Sequence, residues 1–83
     1  MEIIVIELII GALEKTLDFM VPAHVPVQAI LPGIIRLVEQ TNMGITIDPV
    51  HPMLFDMERS QPLRPQETLA QAKIHYGHLL LLI

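Results

Sequence analysis

Eight residues near the start, IIVIELII, interrupt their apolar character only at Glu7. The run is β-branched and short, which predicts a strand over Ile3–Ile10. Gly11-Ala12 breaks it as a hairpin turn. From Leu13 the pattern alternates. Leu13, Leu17, Phe19 and Val21 share one face, and Glu14, Thr16 and Asp18 share the other, which predicts a half-buried second strand ending at Pro22. The period then changes. Val27, Ile30, Leu31, Ile34, Leu37 and Val38 recur at helical spacing behind Pro26, a residue suited to a helix start. Pro32-Gly33 falls inside this stretch, so the helix either kinks there or starts late. Asn42-Met43-Gly44 is a stop signal.

Residues 45–52 show no regular pattern, and Pro49 and Pro52 argue against a central strand. Met53–Met57 predicts a short strand in which Met53, Phe55 and Met57 alternate with Leu54, Asp56 and Glu58. A turn over 58–61, a very short edge strand at Pro62-Leu63 and a second turn over 64–67 follow. Thr68–Lys73 reads as about one helical turn anchored by Leu69. Tyr76-Gly77 then turns the chain into a last strand, His78–Ile83. The order β-β-α-β-β-β predicts one α+β domain over residues 1–83, a mixed sheet of four to five strands covered on one face by a crossover helix.

A sheet covered on one face should alternate along each strand, and the first and last strands are more apolar than that requires. An uncompensated carboxylate is costly inside, so Glu7 is read as pointing outward. Ile4, Ile6 and Leu8 then point inward, and Ile3, Val5 and Ile9 share the outer face with Glu7. In the last strand Leu80 and Leu82 are read as inward, leaving Leu79, Leu81 and Ile83 outward. In the third strand Asp56 and Glu58 are placed in water and Leu54 with them. With these strands side by side, Ile3, Val5, Leu54, Leu79, Leu81 and Ile83 are expected to form an outer apolar patch. Monomers rarely expose more than a few hundred Å² of contiguous apolar surface, so the patch is expected to bind a protein, either a second copy or a different chain.

Charge and composition narrow the partner. Among 83 residues the net charge is −4, and the five basic residues Lys15, Arg36, Arg59, Arg64 and Lys73 are dispersed. No basic stripe exists to neutralise phosphates, so neither nucleic acid nor an anionic membrane surface is expected as a partner. Cysteine is absent, which excludes disulfides and thiolate metal sites and suits a reducing compartment. Met1-Glu2 leads straight into aliphatics without the basic region of a signal peptide, and no apolar run approaches the roughly 20 residues of a membrane helix. The chain is expected in the cytoplasm, without direct membrane insertion.

Little catalytic chemistry is visible. His24, His51, His75 and His78 are read as surface loop histidines. His75-x-x-His78 spans a glycine turn, and with no cysteine and no carboxylate beside them a zinc site is not expected. The carboxylates are scattered, Ser60 is the only serine, and Gly11, Gly33, Gly44 and Gly77 have no phosphate-binding spacing. A chain this small is not expected to enclose a pocket for a small-molecule substrate. No enzyme activity, catalytic residue, cofactor or metal is therefore expected.

Residues Pro62-Leu63-Arg64-Pro65-Gln66-Glu67-Thr68-Leu69-Ala70-Gln71-Ala72-Lys73-Ile74, followed by Tyr76-Gly77-His78-Leu79-Leu80-Leu81-Leu82, resemble the end of a ubiquitin-like β-grasp fold. Val25-Pro26-Val27-Gln28-Ala29-Ile30-Leu31-Pro32 resembles the helix entry of the ubiquitin-like proteins of bacterial type VII (WXG100) secretion. These are the YukD and EsaB proteins and the N-terminal domain of the membrane component EccD. An early-helix proline is common in that group. The resemblance covers nearly the whole sequence, least over 45–52. It implies a ubiquitin-like fold and an accessory, non-enzymatic role in a secretion machine. It also implies binding through the outer sheet face, either to membrane components of that machine or to a second copy, at the inner face of the membrane. The sequence stops at Leu82-Ile83 without the Gly-Gly that a conjugated modifier or sulfur carrier requires, so neither role is expected. An adaptor of another pathway is the alternative.

Overall fold

A computed structural model describes residues 1–11, 14–41 and 52–83. The predicted elements fall into place as β1 (Ile3–Ile10), β2 (Lys15–Pro22), α1 (Val27–Thr41), β3 (Leu54–Asp56), β4 (Gln61–Pro62) and β5 (His78–Leu82). They build a five-stranded mixed sheet in the order β2-β1-β5-β3-β4. β1 and β5 run parallel at its centre and the other neighbours are antiparallel. This is the ubiquitin-like β-grasp arrangement expected from the sequence.

The core lies between the inner sheet face and α1. Ile4, Ile6, Leu8 and Ile10 alternate inward from β1, and Leu80 and Leu82 from β5, all buried. Val27, Ile30, Leu31, Ile34 and Val38 form the buried stripe of α1. Leu37, counted in that stripe by spacing, is 53% exposed. It lies roughly 80° round the helix from Val27, where the stripe has already turned to solvent. On β2, Val21 is buried and Leu17 and Phe19 pack half-buried against the core, as the alternation predicts.

Pro32 does not delay the helix, which begins at Val27. The first amides of a helix have no partners within it. Here the Val27 and Gln28 N–H groups donate to the carbonyls of Glu67 and Pro65, at 2.9 and 3.0 Å. The loop after β4 thus caps the helix from outside. Pro32 and Gln28 are exposed, so the carbonyl that Pro32 cannot serve belongs to a residue in contact with water. The predicted stop at Asn42-Met43-Gly44, the position of Leu13 and the irregular segment 45–51 lie outside the described residues.

The turn after β4 also follows the sequence. Thr68 N–H donates to Gln71 Oε1 at 2.9 Å and Gln71 N–H donates to Thr68 Oγ1 at 3.0 Å, a reciprocal capping arrangement. Leu69 beside it is fully buried.

β3 departs from the expectation. Leu54 and Asp56 face inward, 1% and 0% exposed, and Phe55 is the outward residue. The reading that placed Asp56 and Leu54 in water is corrected because Asp56 is not an uncompensated carboxylate. Its Oδ1 accepts the N–H groups of Glu58 (2.9 Å) and Arg59 (3.1 Å) and lies 2.7 Å from His78 Nε2. A buried carboxylate held by several donors is admissible where a bare one is not.

Candidate functional site

Two features stand out from the scaffold: the outer sheet face, and a polar corner where β5 begins beside the turn after β3.

The strand registers arrange the outer face. Ile9 lies beside Leu81, Leu81 beside Phe55, and Phe55 beside Pro62, so one row crosses four strands. A second row pairs Asp18 with Glu7 and Glu7 with Leu79. Further along, Val5 pairs with Met20, which is 75% exposed. Of the six residues expected in the patch, Val5, Leu79 and Leu81 are half-buried, and Ile3 and Ile83 are exposed. Leu54 is not part of it. It is buried opposite Leu82, and Phe55 occupies the outward position instead.

Nor do the six form one continuous surface. The parallel register sets Leu82 beside Ile10, so Ile83 lies at the far end of β1 from Ile3. Eight residues of strand separate those ends, roughly 26 Å. The exposed Glu7 and Asp18, directly opposite each other, divide the face. Its dense part is the cluster Ile9, Leu79, Leu81 and Phe55, with Met53 and Ile83 on its border. Met53 and Ile83 exchange backbone hydrogen bonds of 3.0 and 3.2 Å, which fixes that border in the sheet.

The polar corner was not anticipated. β5 alternates, so the phase that turns Leu80 and Leu82 inward also turns His78 inward, where it is 1% exposed. Gly77, at φ +79°, makes the tight turn that carries the chain from the exposed His75 into the strand. The rings of His75 and His78 lie 4.4 Å apart between centroids. The expected surface position is therefore corrected for His78 alone, since His75 is exposed as expected, while the expected lack of a neighbouring carboxylate is corrected for both. Asp56 holds His78, and Glu58 Oε1 lies 2.9 Å from His75 Nε2. His24 is on the surface as expected, 2.7 Å from Glu2. His51 lies outside the described residues. The signal for the corner was present in the sequence: an inward His in β5 requires a buried partner, and Asp56 sits at the matching phase of the adjacent strand.

Electrostatics follow from these contacts. Desolvation pushes Asp56 upward, but the His78 hydrogen bond and the amides of Arg59 and Glu58 outweigh it and hold the carboxyl below its usual value. The His75 hydrogen bond and then the Leu79 amide lower Glu58. His75 is raised, by its hydrogen bond to the Tyr76 carbonyl and then by Glu58. Arg59 closes the corner from the other side by donating to the carbonyls of Ala72 and Lys73.

A groove between α1 and the β3–β4 edge, about 870 Å³, is lined by Leu31, Ile35, Arg36, Met53 and Pro65 among others. Among the described residues no helix is long and apolar enough to cross a membrane.

Comparison with known proteins identifies the family and the fold. The family model for YukD of the WXG100 protein secretion system (Wss) matches residues 5–82. No curated protein sequence matches the chain. Among solved structures, the ubiquitin-like domain of the Mycobacterium tuberculosis type VII secretion system protein EccD1 superposes with a TM-score of 0.80 at 18% identity, covering 100% of this chain and 99% of that one. The EccD5 ubiquitin-like domain from Mycobacterium xenopi gives 0.83 at 17% identity, covering 100% and 94%. A chain of the MycP5-free ESX-5 inner membrane complex gives 0.81 at 15% identity over 100% of this chain, but only 21% of that longer chain.

Proposed function

The chain belongs to the YukD family of the WXG100 protein secretion system, and from that premise we propose that it is a non-enzymatic protein-interaction module. In this reading the outer sheet face docks onto a membrane component of the secretion machine. The module is not conjugated to targets and reaches the cytoplasmic side of the membrane only through that partner. The observation that carries the proposal is the row Ile9–Leu81–Phe55, apolar side chains on the uncovered face of a sheet. The inner membrane complex that contains a domain of the same fold supports it. The acidic pair Glu7 and Asp18 beside Leu79 adds a preference for a partner that brings a basic side chain to an apolar contact.

Leu81→Lys tests this. The substitution puts a charge in the middle of the row while leaving the core untouched. A hot-spot residue at the centre of an interface carries about 2 kcal/mol or more, so affinity for the purified cytoplasmic portion of the membrane component should fall by about 30-fold or more. Binding is read by biolayer interferometry, and light scattering on the free protein reports its mass. A wild-type dimer that Leu81→Lys makes monomeric would instead assign the face to a second copy. Unchanged affinity together with unchanged mass refutes the outer-face reading.

A further inference from the structure

The hydrogen bonds of the polar corner assign a role to every ring nitrogen. His78 Nε2 faces the buried Asp56 Oδ1 at 2.7 Å and therefore carries its proton there. Its Nδ1 accepts the His75 backbone N–H at 3.4 Å and so is unprotonated, with a lone pair engaged only by this long contact, which an ion would displace. His75 Nδ1 lies 3.0 Å from the Tyr76 carbonyl, which only accepts, so this nitrogen is protonated. Each imidazole thus anchors one N–H on an acceptor behind it and turns its other nitrogen toward Glu58, and the proton shared between His75 Nε2 and Glu58 Oε1 is the one a metal ion would displace. His75 Nε2 is 2.9 Å from Glu58 Oε1, and His78 Nδ1 is 3.8 Å from Glu58 Oε2. One ligand atom from each of the three residues lies within 4.8 Å of the other two.

The geometry points to a metal site at Glu58, His75 and His78 for a divalent transition ion of the zinc type. Three observations carry it. First, histidines that ligate metals donate their other ring N–H to a carboxylate or a backbone carbonyl, which fixes tautomer and orientation. Both partners are in place: Asp56, itself 0% exposed, and Tyr76. Second, the spacing fits. Ligand distances of about 2.0–2.1 Å in a tetrahedron set ligand atoms about 3.3 Å apart, so the corner closes on an ion by small side-chain rotations. Third, two imidazole nitrogens and one carboxylate oxygen form a donor set that suits zinc and its neighbours rather than calcium or magnesium. The His78 side chain, 1% exposed, forms the floor; those of Glu58 and His75, 40% and 59% exposed, are reachable from solvent. A fourth position remains open toward water or toward a donor atom from a bound partner. Glu58 has a supporting contact of its own, since Leu79 N–H donates to Oε2 at 3.0 Å.

The test uses the untagged chain, stripped with EDTA and desalted. Zn²⁺ is titrated calorimetrically and Co²⁺ by its visible absorption. One equivalent should bind, with a Co²⁺ spectrum of low-coordination type. Glu58→Gln and His75→Ala alter exposed side chains and should each weaken binding at least tenfold. Asp56→Asn, which touches no metal, should weaken it about 10–100-fold as a positioning residue. His24→Ala should change nothing. On the wild-type chain, ¹⁵N spectra provide a measurement that needs no variant: Zn²⁺ should shift His78 Nδ1 strongly while Nε2 keeps its proton. Binding that survives both Glu58→Gln and His75→Ala, that tracks His24, or that leaves His78 Nδ1 unmoved overturns the proposal.

Discussion

Replacing Asp56 with Ala is a severe test of the inverted phase of β3. In the structure one carboxylate oxygen accepts three donors, at 2.7, 2.9 and 3.1 Å, with no exposure to water. Alanine would leave the His78 N–H buried without a partner and release two amides of the turn. An unmet buried donor costs about 1–3 kcal/mol, and each hydrogen bond to a charged group lost with it costs about 1.5–3 kcal/mol. A domain of this size has on the order of 4–12 kcal/mol in total. Asp56→Ala should therefore lose about 3–5 kcal/mol, lowering Tm by at least roughly 12 °C. With Trp absent, far-UV circular dichroism in urea is the assay, run in EDTA. The pH dependence has a definite sign. The folded-state value of Asp56 is depressed, so its contribution is complete above the unfolded value of 3.8 and is lost as pH falls through the folded value. The gap between wild type and Asp56→Asn should accordingly be widest near neutrality and shrink below about pH 4. A loss under 1 kcal/mol for Asp56→Ala, or a gap that widens in acid, would refute the buried pair and with it the phase of β3.

Two further predictions bear on neighbouring elements. Leu54→Ala should cost about 2–5 kcal/mol as a core truncation, whereas Phe55→Ala should cost roughly 1–1.5 kcal/mol in the free protein; equal losses in urea melts would argue against the assigned phase. Pro32→Ala, at an exposed position inside a continuous helix, should stabilise by about 1–3 kcal/mol, and a lowered Tm would contradict it.

Much of this fold was legible because most of its signals are local. The inward phase of β1 follows from Glu7 alone, and the helix face follows from spacing. The last-strand leucines set their own alternation. What could not be read locally was the compensation of Asp56, which comes from His78, 22 residues away. Treating the aspartate as bare put β3 in the wrong phase, and the error carried Leu54 into the patch. The length of the patch was misjudged for a different reason. Neighbouring strands do not bring all their outward residues together, because the parallel β1–β5 register keeps Ile3 and Ile83 at opposite ends.

The same pairing ties the two surfaces together. Sheet alternation has a period of two, so a one-residue change of phase exchanges every side chain between faces. Asp56 turned inward to meet His78 necessarily turns Phe55 outward, opposite Leu81, and this creates the dense part of the apolar face. It also starts the turn that brings Glu58 to His75 and to the Leu79 amide. Leu79 therefore belongs to the outer apolar face by its side chain and to the polar corner by its backbone. Moving β3 by one residue would remove the Phe55–Leu81 contact and strip His78 of its carboxylate in the same step. The outer apolar face and the histidine corner are thus two consequences of one buried Asp56–His78 hydrogen bond, and perturbing Asp56 should disturb both, whereas Leu81→Lys should disturb only the first.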